Sequence, residues 1–367
     1  MKEIKLLHAA DLHLDSAFEA LTPEAAHMRR EGQREILVKI TELAESRGVD
    51  AVLLCGDIFN GVDIERDTER DFCRAMGAIR CPVLIAPGNH DPYTAYSVWE
   101  TVHMPENLYI FKNAEVECVV LPGVRARFWG AGFQNAFCKP LLREFEAPEK
   151  RPDMPDIMVI HADVSGGESA YNAVSREDLM KCGMDYVALG HIHARSSIKY
   201  AGETAYAYPG CTEGRGYDET GEKGAYIITL SDNGVSSEFV PLYGVRYETM
   251  SVDISGLQAD EAIKNATAAL TNKDYCRIAL TGECEAPPDI QLLYKEFSGQ
   301  FGELQLRDET KACRNVWHGM EQDTLSGAYL RKLLAMKNAA KSDEERRIIE
   351  LAARYGISAI ENGGDLI

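Results

Sequence analysis

The chain has 367 residues, 45% of them hydrophobic, with 39 lysines and arginines against 58 aspartates and glutamates, a formal charge of −19. That length exceeds one typical domain and suits two or three, and the apolar fraction is enough for a sizeable core. The acidity excludes a protein that coats nucleic acid through a broad basic surface, but not local contact with phosphates, because bound cations can reverse the sign of a site.

No apolar run is long enough to span a bilayer, so no membrane association is expected. The opening MKEIKLLHAADLHLD lacks a small-residue cleavage site and is interrupted by Asp11 and His13, so it reads as a first strand. Ten cysteines occur without a CxxC pair, the pattern of reduced, buried thiols in a cytoplasmic protein.

Strand and helix signals alternate at first. EIKLLHAADLHL predicts a strand, and EAAHMRREGQREILVKITELAESRG a helix closed by Gly48. VDAVLLCGDIF predicts a second strand, ERDTERDFCRAMGAI a helix, and CPVLIAPGNHD a third strand. This βαβαβ order implies a parallel sheet with helices on its faces. From about Asn107 strands dominate, from NLYIF through SSIKYAGETAYAYPG to SSEFVPL, and imply a second sheet packed on the first. Around Val245 the pattern changes to β-α-β-α-β, and from Thr324 it becomes amphipathic helix with Leu325, Leu330, Leu333 and Leu334. The expected fold is α/β: a two-sheet sandwich flanked by helices over residues 1–243, a small βαβαβ domain over 244–312 and a helical tail over 313–367.

Five short motifs fall at the C-terminal ends of predicted strands: DLH (Asp11, His13), GDIF (Asp57), GNHD (Asn89, His90, Asp91), HAD (His161) and GHIH (His191, His193). Ligands of open α/β sheets bind beyond those ends, so the fold sends all five to one rim. Residues i and i+2 of an extended segment point the same way, so His191 and His193 can reach two ions side by side or grip one between them. Asp11 and His13 follow the same logic. Asp57 is a natural bridging carboxylate, and Asn89 offers a neutral amide oxygen. This donor set of nitrogen and oxygen suits two divalent ions, Mn²⁺ or Fe²⁺, rather than a structural zinc. Two ions about 3.5–4 Å apart form a clamp for phosphoester cleavage. His90 is placed to protonate the leaving alkoxide, and Asp91 is expected to orient its ring. A lone DLH or GNHD would mean little; five motifs in this order, each after a strand, mean much more. His8 reads as a core residue, and His27, His103 and His318 as surface or packing residues.

These motifs resemble the calcineurin-like metallophosphoesterase superfamily, whose pattern runs D-x-H, G-D, G-N-H-[DE], H, G-H-x-H. The resemblance implies that Asp11, His13, Asp57 and His193 hold one ion, that Asp57, Asn89, His161 and His191 hold the other, and that His90 is the catalytic acid or transition-state stabiliser. LLHAADLHLD, GDIFN, the small βαβαβ unit and the helical tail further resemble the nuclease subunit of SbcCD-type double-strand-break repair complexes. YPGCTEGRGYDETGEKGAY is most similar to the YhaO-type exonuclease branch. That likeness implies DNA as substrate, a preference for manganese, an SbcC-type coiled-coil ATPase gripped by the tail, a capping role for the small domain, and a homodimer formed through PYTAYSVWE. Members of the family carry His or Asp where this chain has Asn60, which can hydrogen-bond a phosphate or water but is a weaker proton donor. Arg195 and Arg215 are near the rim in sequence and suit phosphate, while Arg125 and Arg127 precede FWGAGF.

Two other functions use the same residues. A small-molecule phosphodiesterase or phosphatase needs the same clamp, although the small domain and tail favour a nuclease. A scaffold that organises an ATPase on DNA would not need the intact ligand set.

Overall fold

The computed structural model describes residues 3–361 apart from 20, 165, 167, 168, 285, 313–316 and 318; His318 and the last six residues lie outside the described residues. The chain divides into two compact units: Met1–Thr249 with Leu270–Arg277 and Ser298–Leu304, and Met250–Ala269 with Ile278–Phe297 and Gln305–Ile367.

In chain order the first unit contains β1 (Ile4–Ala9), α1 (Pro23–Arg47), β2 (Ala51–Leu54), α2 (Arg66–Ala78), β3 (Val83–Ile85), α3 (Val98–Thr101), β4 (Leu108–Ile110), β5 (Glu117–Val119) and β6 (Arg127–Gly130). It continues with β7 (Asp156–His161), α4 (Arg176–Lys181), β8 (Tyr186–Gly190), β9 (Lys199–Ala201), β10 (Thr204–Ala207), β11 (Gly224–Ser231) and β12 (Gly234–Pro241). One six-stranded sheet has the order β12-β11-β1-β2-β3-β4 and the other β5-β6-β7-β8-β10-β9. Pairing is parallel from β1 through β4 and from β6 through β8 to β10.

Alternation along the strands builds the layers. Leu7, Ala9, Val52, Leu54, Val83 and Ile85 face Ile36, Leu37 and Ile40 of α1 and Phe72 and Met76 of α2. Leu6, Ala51, Leu53 and Leu84 point the other way, against Phe128, Ile157, Val159, Tyr186 and Ala205 of the second sheet. Met158, Ile160, Val187 and Leu189 cover that sheet's far face with Leu179 of α4. The parallel strands at the centre of both sheets are thus buried on two sides, which is why they read as continuous apolar runs. Helix α1 starts where the Thr22 hydroxyl accepts from the Ala25 N–H, with Pro23 in its first turn, and stops at Gly48 in the left-handed conformation, φ 57°.

Two readings of the sequence need adjustment. Strand β1 ends at Ala9, because Asp11, His13 and Leu14 turn aside and their N–H groups donate to the carbonyls of Gly56, Asp57 and Ile58. SSIKYAGETAYAYPG is not one strand but the hairpin β9–β10, reversed at Gly202 with φ 62°. PYTAYSVWE contains only the four-residue α3, whose Val98 and Trp99 are buried in this chain's own core.

The remaining elements are β13 (Arg246–Asp253), α5 (Ala259–Ala266), β14 (Asp274–Thr281), β15 (Glu283–Cys284), α6 (Ile290–Phe297), β16 (Glu303–Asp308), β17 (Lys311–Ala312), α7 (Leu325–Ala339) and α8 (Asp343–Glu361). Strands β13, β14 and β16 form a three-stranded sheet in the order β13-β14-β16. Helices α7 and α8 pack through Leu330, Leu333, Ala340, Ile349 and Ala353. No described helix is long and apolar enough to cross a membrane.

Candidate metal centre

The five motifs meet at one rim of the sandwich, but not by the strand alternation expected for them. Asp11, His13, Asp57 and His191 all have left-handed backbone, with φ of 52°, 45°, 51° and 106°. Such conformations cost of order 1–3 kcal/mol each away from glycine and persist only where surroundings hold them. Here the surroundings are backbone hydrogen bonds: Asp11 N donates to Gly56 O (3.1 Å) and His13 N to Asp57 O (2.9 Å). The crossing loops come so close that a Cβ on Gly190 would stand 1.7 Å from Cys55 O, and one on Gly88 2.2 Å from Asp57 Oδ1. Glycine is therefore demanded in both motifs by close approach.

Ligand-type atoms of Asp11, His13 and His193 lie within 4.8 Å of one another, as do those of Asp11, Asp57 and His161 and those of His13, Asp57 and His90. Asp57 Oδ2 stands between two rings, 3.7 Å from His13 Nε2 and 3.4 Å from His161 Nε2. Asn89 Oδ1 is 3.0 Å from His161 Nε2, and the His191 ring packs edge-on to that of His161 with centroids 5.1 Å apart. The His191 N–H donates to both Asp11 oxygens at 3.1 Å.

The outer ring nitrogens reveal what the inner ones present. His13 Nδ1 donates to Asn60 Oδ1 (3.1 Å), His193 Nδ1 to Glu219 Oε1 (2.6 Å) and His161 Nδ1 to Cys55 O (2.9 Å). A ring that carries its proton on the outer Nδ1 turns a bare Nε2 inward. His13 Nε2 and His193 Nε2 face each other at 3.1 Å, and His161 Nε2 faces two oxygens. Lone pairs converging on lone pairs are repulsive without a cation and are the donor arrangement a divalent ion accepts, so the residues fit metal ions.

Electrostatics agree. Burial, joined by Arg215, lowers the His13 pKa to about 3, and burial with His161 lowers that of His191 to about 4. Both rings are neutral, the form that ligates. Burial, with Asp57 second, pushes the Asp11 carboxyl well above its usual range. For Asp57 burial works upward, but His161 and His13 prevail and hold it below its ordinary value.

Several expected roles change. Asp91 does not orient His90: its oxygens accept from the N–H groups of Gly88 (2.7 Å), Asp57 (3.1 Å), Ile58 (2.8 Å) and Phe59 (3.2 Å), so it braces the loop that carries Asp57. His90 is exposed at the rim, edge-on to His13 with centroids 4.9 Å apart, and its N–H donates to Asp57 Oδ1 (2.9 Å). Asn60 holds the His13 ring. Arg195 is turned from the centre and lies 3.8 Å over the Phe239 ring. Arg215 is at the rim, with Nη2 3.2 Å from His193 Nδ1 and 2.7 Å from Glu219 Oε1. Arg125 and Arg127 pair with Asp153 and Asp156. His8 is fully buried between Tyr186 and Leu189 O, as its place in the strand implied.

Glu219 is the residue that sequence reading missed. An acidic side chain in a turn-rich segment normally faces water, yet this one is buried and fastened by Arg215 N, Nε and Nη2. Burial pushes its carboxyl upward, but the His193 and Arg215 bonds hold it well below the usual range. Its only sequence signal was the segment YPGCTEGRGYDETGEKGAY itself.

Three relatives each match about two thirds of the chain. The chain is 32% identical over 268 residues to the uncharacterized metallophosphoesterase YhaO of Bacillus subtilis, covering 70% of this chain and 64% of that protein. It is 27% identical to the DNA double-strand break repair protein Mre11 of Aeropyrum pernix, covering 68% and 64%. It is 23% identical to an SbcCD nuclease subunit of Rhodobacter capsulatus, covering 65% and 69%. The chain thus spans less than two thirds of the length of the first two. Residues 4–195 match the calcineurin-like phosphoesterase family, a span that takes in every candidate ligand and more than half of the chain. The protein belongs to the calcineurin-like phosphoesterase family.

Proposed function

We propose that this protein is a metal-dependent phosphodiesterase that cleaves DNA. The observation that carries the reading is the convergence of bare imidazole nitrogens and carboxylate oxygens around Asp57. Asp11, His13, Asp57 and His193 would hold one divalent cation, and Asp57, Asn89, His161 and His191 a second, with manganese expected and iron the alternative. When bound, such a pair polarises the phosphoryl group and acidifies the attacking water. The chain's own groups do the rest. Asn60, Glu219 and the Cys55 carbonyl keep the inner nitrogens free of protons. His90, exposed beside His13, delivers a proton from its ring to the leaving oxygen.

DNA as substrate is supported by two of the relatives, a double-strand-break repair protein and a nuclease subunit. From the resemblance of the motifs, small unit and tail to SbcCD-type nuclease subunits we further propose a coiled-coil ATPase of the SbcC type as partner, residues 313–367 as its contact, residues 244–312 as a cap and a homodimer; the reduced cysteines support a cytoplasmic setting. Ile348, Leu351 and Tyr355, exposed along α8 at helical spacing, support a partner for the tail.

The test is manganese-dependent hydrolysis of linear duplex DNA and of bis-p-nitrophenyl phosphate by wild type, His90→Ala and Asp57→Ala. DNA degradation is expected, lost in Asp57→Ala and reduced about 10²–10⁴-fold in His90→Ala. Turnover of the small ester alone, even with the ATPase added, would redirect the reading to a small-molecule phosphodiesterase. Absence of turnover with manganese bound would make the protein a scaffold.

A further inference from the structure

An aromatic ladder leads outward from the metal centre. The Tyr171 ring lies against that of His191, with centroids 5.2 Å apart and 39° between planes. Phe137 stacks on Tyr171 at 6.0 Å and 28°. The outer ring is 62% exposed, an unusual state for a phenylalanine, and its neighbour Lys139 is exposed too.

The ladder is anchored rather than loose. A parallel bridge joins Cys138 to Tyr171, and Asn172 N donates to Cys138 O at 2.9 Å. Asn172 is fully buried and left-handed, with φ 52°. Its Nδ2 donates to the carbonyl of His161 (3.0 Å), and its Oδ1 accepts from Leu141 N (2.9 Å). The segments carrying both rings are therefore tied to the backbone of a candidate ligand.

We propose that Phe137, backed by Tyr171, is a stacking platform for a nucleobase next to the phosphodiester being cleaved. This rests on the phosphodiesterase reading and adds a substrate determinant to it. A flat, exposed, anchored ring two residues from an exposed lysine suits the base and phosphate of a nucleotide, because every base offers a π-face and stacking tolerates any sequence. An aliphatic phosphoester would leave the platform unused.

The experiment compares thymidine 5′-(p-nitrophenyl phosphate) with methyl p-nitrophenyl phosphate, which share a leaving group and differ in carrying a nucleoside or a methyl group. Wild type, Phe137→Ala and Phe137→Tyr are assayed with manganese. In parallel, quenching of a 2-aminopurine-labelled oligonucleotide is measured without metal, so that binding is read apart from turnover. The expected result is a KM increase in Phe137→Ala at least about fivefold larger for the nucleoside ester than for the methyl ester. Phe137→Tyr should restore it, and quenching should weaken only in Phe137→Ala. Equal effects on both esters, or quenching that Phe137→Ala leaves intact, would overturn the platform while the phosphodiesterase reading stands. Phe137-dependent quenching without turnover of either ester would uphold the platform and overturn the phosphodiesterase.

Discussion

His193 illustrates how this centre is set one atom at a time. Its Nδ1 faces the Glu219 carboxylate at 2.6 Å, so its Nε2 is left bare toward His13. Removing the charge of that carboxylate while keeping its shape should weaken the ring as a ligand. Glu219→Gln is expected to lower manganese affinity about 10–100-fold in titration calorimetry, with unchanged far-UV circular dichroism. Unchanged affinity would reduce Glu219 to a partner of Arg215. Gly88 tests close approach in the same way. An added methyl would press on Asp57 Oδ1 and on Asp57 N, 2.6 Å away. Gly88→Ala should therefore lose manganese binding by roughly tenfold or more while remaining folded, since Asp57 must move to make room.

Among the elements, β1, β2, β3, β7 and β8 do little chemistry themselves; they end together and hand the chain to tight loops. Those loops keep four left-handed residues in place, Asp11 and His13 through backbone hydrogen bonds, Asp57 through the Asp91 carboxylate and His191 through that of Asp11. The helical hairpin shows a simpler logic. Leu330 is 1% exposed and lies among Leu333, Ile349 and Ala353. Leu330→Ala should cost about 2–5 kcal/mol where the hairpin opens on its own. Hydrogen exchange should accelerate across α7 and α8 but not across β1 or β7; acceleration everywhere would mean that the hairpin unfolds only with the rest.

For the molecule as a whole, buried neutral imidazoles couple stability to pH. His8 has its pKa lowered to about 3 by burial, against an ordinary 6.5. Between those values the unfolded chain binds a proton there that the folded chain refuses, so stability rises with pH through the window and levels off above about 6.5. His13 acts in the same direction, while Asp11, raised by burial and Asp57, acts in the opposite one. In chelator, His8→Gln should flatten the pH dependence of urea unfolding by up to about 1.4 kcal/mol per pH unit between pH 4 and 6. An identical slope would show that His8 is not the proton site. Manganese should stabilise the chain by about 2.7 kcal/mol at a hundredfold excess over its Kd. A melting temperature indifferent to chelator and manganese would contradict the proposed centre.

The amino-acid sequence by itself determined the class of fold and the ligand types. Apolar runs such as AVLL and DYVALG, short and bounded by turn signals, read as buried strands, and Asp, Asn and His after them mark the ligand-binding rim. The jobs of the supporting residues were decided by tertiary structure. Asp91 turned to four backbone amides, Arg195 to Phe239 and Asn60 to His13, while Glu219 came from 26 residues beyond His193 to hold its ring. The reason is physical. Strand burial is a local pattern with a fixed period, so it is written in consecutive residues. A polar side chain takes whichever partner the fold brings within about 3 Å, and that partner has no fixed separation along the chain.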